Sequence, residues 1–201
     1  MAHAGDVIEN PVTGQRLIFL VTSADSDGEL FAAEGVFSPG GFAGVPHVHP
    51  HQDERFVVLA GDAAFDIDGA HHVLGAGDTI DVPRGTAHTF ANAGADEMRV
   101  RFEFYPALTS TERFYELYFA FAQQGRVNAR AMPGLLDVAT VWPVTSEHAV
   151  LATPSPFIQH ALFRVLGPVA RITGRQPPVC RRASLETESF PVTPTATHRP
   201  D

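Results

Sequence analysis

Three histidines and one glutamate in the middle of the chain could bind a metal ion: His47, His49, Glu54 and His88. In a β-strand, His47 and His49 point to the same face about 6.6 Å apart, so both imidazoles can reach one ion. Glu54 follows a polar link and begins a second alternating segment, and His88 lies in a third. Such a mixed nitrogen and oxygen donor set suits one divalent ion of iron, manganese, nickel, cobalt, copper or zinc. Open coordination positions would remain for water, substrate or dioxygen.

The same stretch resembles the two sequence motifs of the cupin superfamily. The first motif, G-x5-H-x-H-x4-E-x6-G, is matched by Gly41, His47, His49, Glu54 and Gly61. The second, G-x5-P-x-G-x2-H-x3-N, is matched by Gly77, Pro83, Gly85, His88 and Asn92. The 15 residues between them (62–76) resemble the short spacing of small single-domain cupins. The resemblance implies a jelly-roll β-barrel with the metal ligands His47, His49, Glu54 and His88 inside it. A cupin barrel without a metal remains the alternative.

Composition limits the possible partners and surroundings of the protein. With 44% hydrophobic residues in 201, the chain can bury an ordinary core. A net charge of −9 argues against nucleic acids and anionic membranes as partners. Cys180 is the one cysteine, which excludes an intrachain disulfide. Because no signal-like start and no bilayer-length apolar run is visible, we expect a cytoplasmic protein.

Periodicity predicts a mainly β fold with a C-terminal helical appendage. Short alternating segments with glycine-rich turns indicate a barrel over residues 1–106. Residues 107–174 show helical spacing, and the sequence TSTE at 109–112 has the form of a capping box. Residues 175–201 are rich in proline, threonine, serine and arginine, so we expect them to be disordered.

Two features bear on assembly and on access to the site. Residues 15–22 are apolar on both faces, which predicts cover by a helix or by a second subunit and favours a homodimer. The helices of residues 107–174 carry no cluster of reactive side chains. They are expected to cover the barrel or to form a dimer face, with a lid over a substrate pocket as the alternative.

Three classes of function are compatible with the predicted site. The first, a dioxygenase-type oxidoreductase acting on a small organic substrate that binds the metal, follows from the resemblance to quercetinase-like cupins. The second is a non-redox isomerase, cyclase, lyase or decarboxylase, and the third is a small-molecule sensor with a structural metal. In either enzyme, Glu54 is the candidate catalytic proton acceptor. His51 is expected to face solvent or to support a ligand, because Pro50 redirects the strand, and a fifth metal ligand is the alternative.

Overall fold

The structure, a computed structural model, describes residues 1–41 and 44–184. Within these residues, two antiparallel sheets face each other across a common core. One sheet has the order β12-β1-β2-β3-β10-β5-β8 and the other the order β11-β4-β9-β6-β7. The strands are β1 (Asp6–Glu9), β2 (Arg16–Val21), β3 (Phe31–Phe37), β4 (His47–Val48), β5 (Asp53–Ala60), β6 (Ala63–Ile67), β7 (Ala70–Leu74), β8 (Thr79–Val82), β9 (His88–Asn92), β10 (Met98–Tyr105), β11 (Val150–Leu151) and β12 (Ala183–Ser184).

The predicted fold class, a mainly β jelly-roll barrel with a C-terminal helical appendage, is confirmed. Successive side chains of a strand point to opposite faces of the sheet, so every second side chain points into the barrel. In β5 and β10, every second residue is buried in this way. Phenylalanine fills most of that interior. The buried rings belong to Phe19, Phe31, Phe37, Phe56, Phe65, Phe90, Phe102 and Phe104.

Tight turns follow the glycine pattern of the sequence. Asp68 and Gly69 connect β6 to β7 with φ angles of 48° and 80°, as a two-residue hairpin requires. Gly61 closes the first motif with a φ of 74°, and a β-carbon there would lie 2.9 Å from the carbonyl oxygen of Glu97. A side chain at Gly61 would therefore clash with the backbone at the start of β10.

Three helices follow the barrel: α1 (Thr109–Gln123), α2 (Leu135–Thr145) and α3 (Pro156–Ile172). The expected capping box is wrong, because the N-cap of α1 is Leu108 and no side chain caps the helix. The Glu112 carboxylate instead accepts a hydrogen bond from the backbone N–H of Ser23, 2.6 Å away. No helix in the described part of the chain is long and apolar enough to cross a bilayer.

The helical segment also contributes to the second sheet. β11, between α2 and α3, pairs with β4 so that Val150 lies opposite Val48 and Leu151 opposite His47. Buried Trp142 and Phe163 pack with Val150 in a second apolar cluster. The helices are thereby attached directly to the strand that carries His47.

The structure differs from the expectation of a disordered tail from residue 175 onward. Residues 175–184 lie against the protein, and β12 pairs with β1. Arg175 pairs with Asp137, and Arg182 pairs with Glu116. The side-chain contacts are ion pairs, and ion pairs leave no periodic pattern of apolar residues in the sequence. The hydrophobic pattern therefore did not predict them. Residues 185–201 lie outside the described part of the chain.

Candidate metal centre

Strand alternation directs the four predicted ligands toward one point. His47 in β4 lies directly opposite His88 in β9, so their side chains share a face of the sheet. Glu54 begins the inward-facing set of β5 together with Phe56. His49, Glu54 and His88 are only 2–4% exposed, whereas His47 is half-buried. The barrel therefore brings together residues that are up to 41 positions apart in the sequence.

One donor atom from each of His47, His49, Glu54 and His88 lies within 4.8 Å of the other three. Oε2 of Glu54 is 2.8 Å from Nε2 of His88 and 3.2 Å from Nε2 of His49. Two donors bound at right angles to one ion, each at about 2.1 Å, lie about 3 Å apart. These four side chains could hold a divalent metal ion.

Backbone carbonyls orient all three imidazoles in the same way. Nδ1 of His47 donates to the carbonyl of Val45 at 3.0 Å, and Nδ1 of His88 donates to that of Thr86 at 3.0 Å. Nδ1 of His49 donates to the carbonyl of His148 at 2.6 Å. With Nδ1 committed as a donor, each ring presents Nε2 to the centre of the cluster.

A buried nitrogen without a partner provides a direct test of whether a metal fits. Nε2 of His49 is buried and has no hydrogen-bond partner among the described residues, although it lies close to Glu54. Such an unsatisfied group costs about 1–3 kcal/mol, and a coordinated ion would remove that cost. The residues present therefore fit a divalent ion with three nitrogen donors and one carboxylate.

The charges of the cluster agree with this fit. Burial, with smaller contributions from His49 and His88, lowers the pKa of His47 to about 3, which keeps that ring neutral. Burial alone would raise the pKa of Glu54, but interactions with His49 and His88 outweigh it and hold this pKa at about 2. Burial disfavours the charged form of His88, yet its hydrogen bond to Glu54 raises the pKa of His88 above the ordinary value.

We expect metal binding to release protons at pH 6.5. His88 has a raised pKa and is mostly protonated there, and coordination displaces the proton on its Nε2. Release should fall, and metal affinity should level off, as the pH rises through this raised pKa. Calorimetric titration in two buffers of different ionisation enthalpy measures the proton count. Buffer-independent heats at pH 6.5 would contradict this account.

Other polar residues near the motifs lie outside the cluster. His51 is exposed and is not one of the four clustered donors. Asp53 forms an ion pair with Arg84, with 2.6 Å between the carboxylate and the guanidinium. Asn92, the last residue of the second motif, donates to the carbonyls of Phe37 and Asp96 and therefore supports the barrel.

Sequence reasoning missed His148, which follows α2 and lies beside the cluster. Its ring is buried, with its centroid 4.5 Å from that of His49. Nδ1 of His148 is 2.9 Å from Oε1 of Gln52, and the Thr111 hydroxyl donates to the same oxygen at 3.0 Å. A single histidine outside any motif gives no signal of this kind in the sequence.

The cluster opens onto a cavity of about 270 Å³ whose lining includes His47 and Glu54. Aromatic rings from all three helices form much of its wall: Phe114, Tyr115, Tyr118, Trp142 and Phe163. The helical segment therefore supplies walls of the cavity as well as cover for the barrel. A mostly apolar cavity that ends at a few polar groups is typical of a small-molecule site.

Comparison with known proteins agrees with this geometry. Residues 34–105 match the family model for the cupin domain. Protein SchB of Streptomyces halstedii is 35% identical over 60 residues, which are 30% of this chain and 44% of that protein. The chain thus spans less than half the length of this curated relative.

Solved structures with a similar fold include KdgF from Halomonas sp., at 23% identity and a TM-score of 0.44 over 49% of this chain and 84% of that one. They also include an RmlC-like cupin from Shewanella frigidimarina, at 26% identity and a TM-score of 0.44 over 52% and 86% of the two chains. The domain match includes His47, His49, Glu54 and His88, which the structure brings together. Residues 34–105 are therefore a cupin domain.

Proposed function

We propose that the protein is a metal-dependent enzyme of the dioxygenase type, acting on a small organic substrate that coordinates the metal. The observation that carries this proposal is the opening of the four-donor cluster onto an aromatic-lined cavity. A purely structural metal would have no need of such an opening. The wall from α1, α2 and α3 also limits the access of water to the cluster, which strengthens electrostatic interactions inside it.

His47, His49, Glu54 and His88 would hold the ion, each histidine through Nε2. A bound divalent ion would polarise a coordinated oxygen atom and, if redox-active, would give access to dioxygen chemistry. The protein's own contribution is orientation. The carbonyls of Val45, Thr86 and His148 fix the three rings before any ligand arrives.

Glu54 is the proposed proton acceptor. It lines the cavity and has a pKa of about 2, so its carboxylate is charged throughout the neutral range. A carboxylate is a weak base, so it removes protons efficiently only from an acidic group. This favours a substrate hydroxyl that becomes acidic on coordination, such as that of an enol or a phenol.

The same carboxylate supports a second candidate, a non-redox isomerase, cyclase, lyase or decarboxylase. A charged Glu54 beside an open cavity can move a proton between two positions of a substrate without any oxidant.

A requirement for dioxygen distinguishes the dioxygenase from the non-redox enzyme. Protein loaded with iron, manganese, nickel, cobalt or copper in turn should consume dioxygen in proportion to product when offered enols, catechols and diketones, whereas the zinc-loaded protein, whose metal has no redox chemistry, should consume none. Undiminished turnover under strict anaerobiosis would overturn the dioxygenase proposal and select the alternative.

Glu54→Gln is expected to lower turnover about 100-fold or more while the variant still binds the substrate. The amide keeps the shape of the side chain and one oxygen donor, but it loses the negative charge and the basic site. Asp53→Asn is the matched control, because it makes the same change at the neighbouring residue, whose carboxylate pairs with Arg84 outside the cavity. Turnover numbers are compared at equal metal content, and wild-type turnover in Glu54→Gln would refute the assigned role.

The homodimer stays a prediction. Ile18 and Leu20, on the outer face of β2, are half-buried within the single chain, so this face is covered only in part. Apolar side chains are more fully exposed on α3, among them Phe157, Val165 and Ile172. The small-molecule substrate is the other partner that we propose.

A further inference from the structure

The cavity contains polar groups that the metal cluster does not use. His148, Tyr115 and Tyr118 all line it. Nε2 of His148 and the two tyrosine hydroxyls make no hydrogen bond within residues 1–41 and 44–184. These side chains therefore border the cavity with polar groups that the described part of the chain leaves unused. Polar groups of this kind, set in an apolar wall, determine how a ligand is oriented.

The tautomer of His148 follows from its neighbours. Nε2 of Gln52 donates to the carbonyl of Pro106 at 2.8 Å, so the amide oxygen of Gln52 faces His148. An amide oxygen can only accept, and Nδ1 of His148, 2.9 Å away, must therefore carry the hydrogen. In a neutral ring the lone pair is then on Nε2.

Tyr115 has the complementary role of a donor. Its ring is stacked on Phe31 and Phe102 at interplanar angles of 9° and 16°, which fixes its position. A tyrosine hydroxyl ordinarily keeps its proton at neutral pH, with a pKa of about 10, and can therefore donate it in a hydrogen bond. The ring centroids of Tyr115 and His148 are 5.6 Å apart. A fixed donor and a fixed acceptor thus stand side by side in the wall.

We propose that His148 and Tyr115 are substrate-contacting residues that select a flat molecule carrying a hydrogen-bond donor and an acceptor on one edge. Nε2 of His148 accepts from the donor, and the Tyr115 hydroxyl donates to the acceptor. The aromatic rings of Phe114, Trp142 and Phe163 pack on the faces of the same molecule. This assignment rests on the proposed function in one respect, namely that the substrate binds in this cavity. Its test measures binding and requires no turnover.

Two probes of nearly identical shape isolate the contact with His148. 2-Quinolinone has an N–H next to its carbonyl, and coumarin has a ring oxygen in place of that N–H. Because one net hydrogen bond is at stake, the zinc-loaded full chain should bind 2-quinolinone about 5-fold more tightly than coumarin in calorimetric titrations. Trp142, the chain's single tryptophan, lines the cavity, and quenching of its fluorescence reports binding there.

Two variants separate the contribution of His148 to probe binding from that of Tyr115. His148→Phe should abolish the preference by weakening 2-quinolinone alone, since only that probe has the donor. Tyr115→Phe should weaken both probes by a similar factor and keep the preference, since both have the carbonyl. A purely structural effect would weaken both probes in His148→Phe. An unchanged preference in that variant, or no binding of either probe by the wild type, would overturn the proposal.

A measurement on the unaltered protein covers the case in which His148→Phe does not fold. In protein with ¹⁵N-labelled histidine, Nε2 of His148 should show the resonance of an unprotonated nitrogen. It should shift on addition of 2-quinolinone and stay nearly constant with coumarin. A protonated Nε2, or equal shifts with both probes, would refute the acceptor role. Turnover and metal content test the proposed function separately, so the two can fail independently.

Discussion

His49→Ala is expected to lose metal affinity by more than the roughly 10–100-fold that follows removal of a ligand's hydrogen-bond partner. The mutation removes a donor itself, and the donor in question is the buried nitrogen that has no other partner among the described residues. The barrel should remain folded, because its core consists mainly of phenylalanine and aliphatic side chains from both sheets. Metal content after dialysis, measured by mass spectrometry, and far-ultraviolet circular dichroism check the two parts.

His51→Ala is the matched control. It deletes the same side chain two positions further along the chain, where the histidine is exposed and outside the cluster. This variant should retain wild-type metal content. Near-stoichiometric metal in His49→Ala would refute the assignment of the ligand set, whatever the behaviour of the control.

The second large effect concerns residues 175–184. A chain that ends at residue 174 should lose about 3 kcal/mol of its free energy of unfolding, because Glu116 loses its close partner Arg182, whereas Asp137 loses Arg175 but keeps Arg126. Both carboxylates belong to residues that are at most 5% exposed. For a chain of this size the loss corresponds to a decrease in melting temperature of about 6–12 °C. Thermal unfolding followed by circular dichroism measures it.

Two controls test whether loss of the ion pairs causes this decrease in the free energy of unfolding. A chain that ends at Ser184 keeps every contact described above and isolates the contribution of residues 175–184. Arg182→Met and Arg181→Met compare neighbouring arginines, of which Arg182 pairs with Glu116, whereas Arg181 makes its described hydrogen bonds through its backbone. Equal melting temperatures for these two variants would show that the buried ion pair does not stabilise the chain.

The barrel and the ligand cluster could be predicted because each depends on a local pattern. Alternation in β5 places Glu54 on the same face as Phe56, and the two-residue spacing places His47 and His49 together. The glycines at turns, such as Gly69, mark where strands reverse. Such signals are contained within a few residues, so a single sequence reveals them.

The role of His148 could not be predicted, for a physical reason. Its contact with His49 is made by a backbone carbonyl, which every residue has, and its ring is held by Gln52, 96 positions away. The capping box failed for a related reason, since the Glu112 carboxylate bonds to Ser23, 89 positions away, rather than to its own helix. Long-range polar pairing has no periodicity from which it could be recognised.

The pairing of β11 with β4 has a consequence for the order of events during synthesis. Residues 1–105 contain all four candidate ligands, but the carbonyl that orients His49 comes 99 positions later in the chain. A contact between residues so distant in sequence forms only after the intervening segment has been made and has packed. A growing chain that has just completed its barrel therefore has a ligand ring that is not yet held in place. The docking of the helices then completes both the cavity wall and the metal centre, so that maturation of the site has to wait until the helical segment has been synthesised.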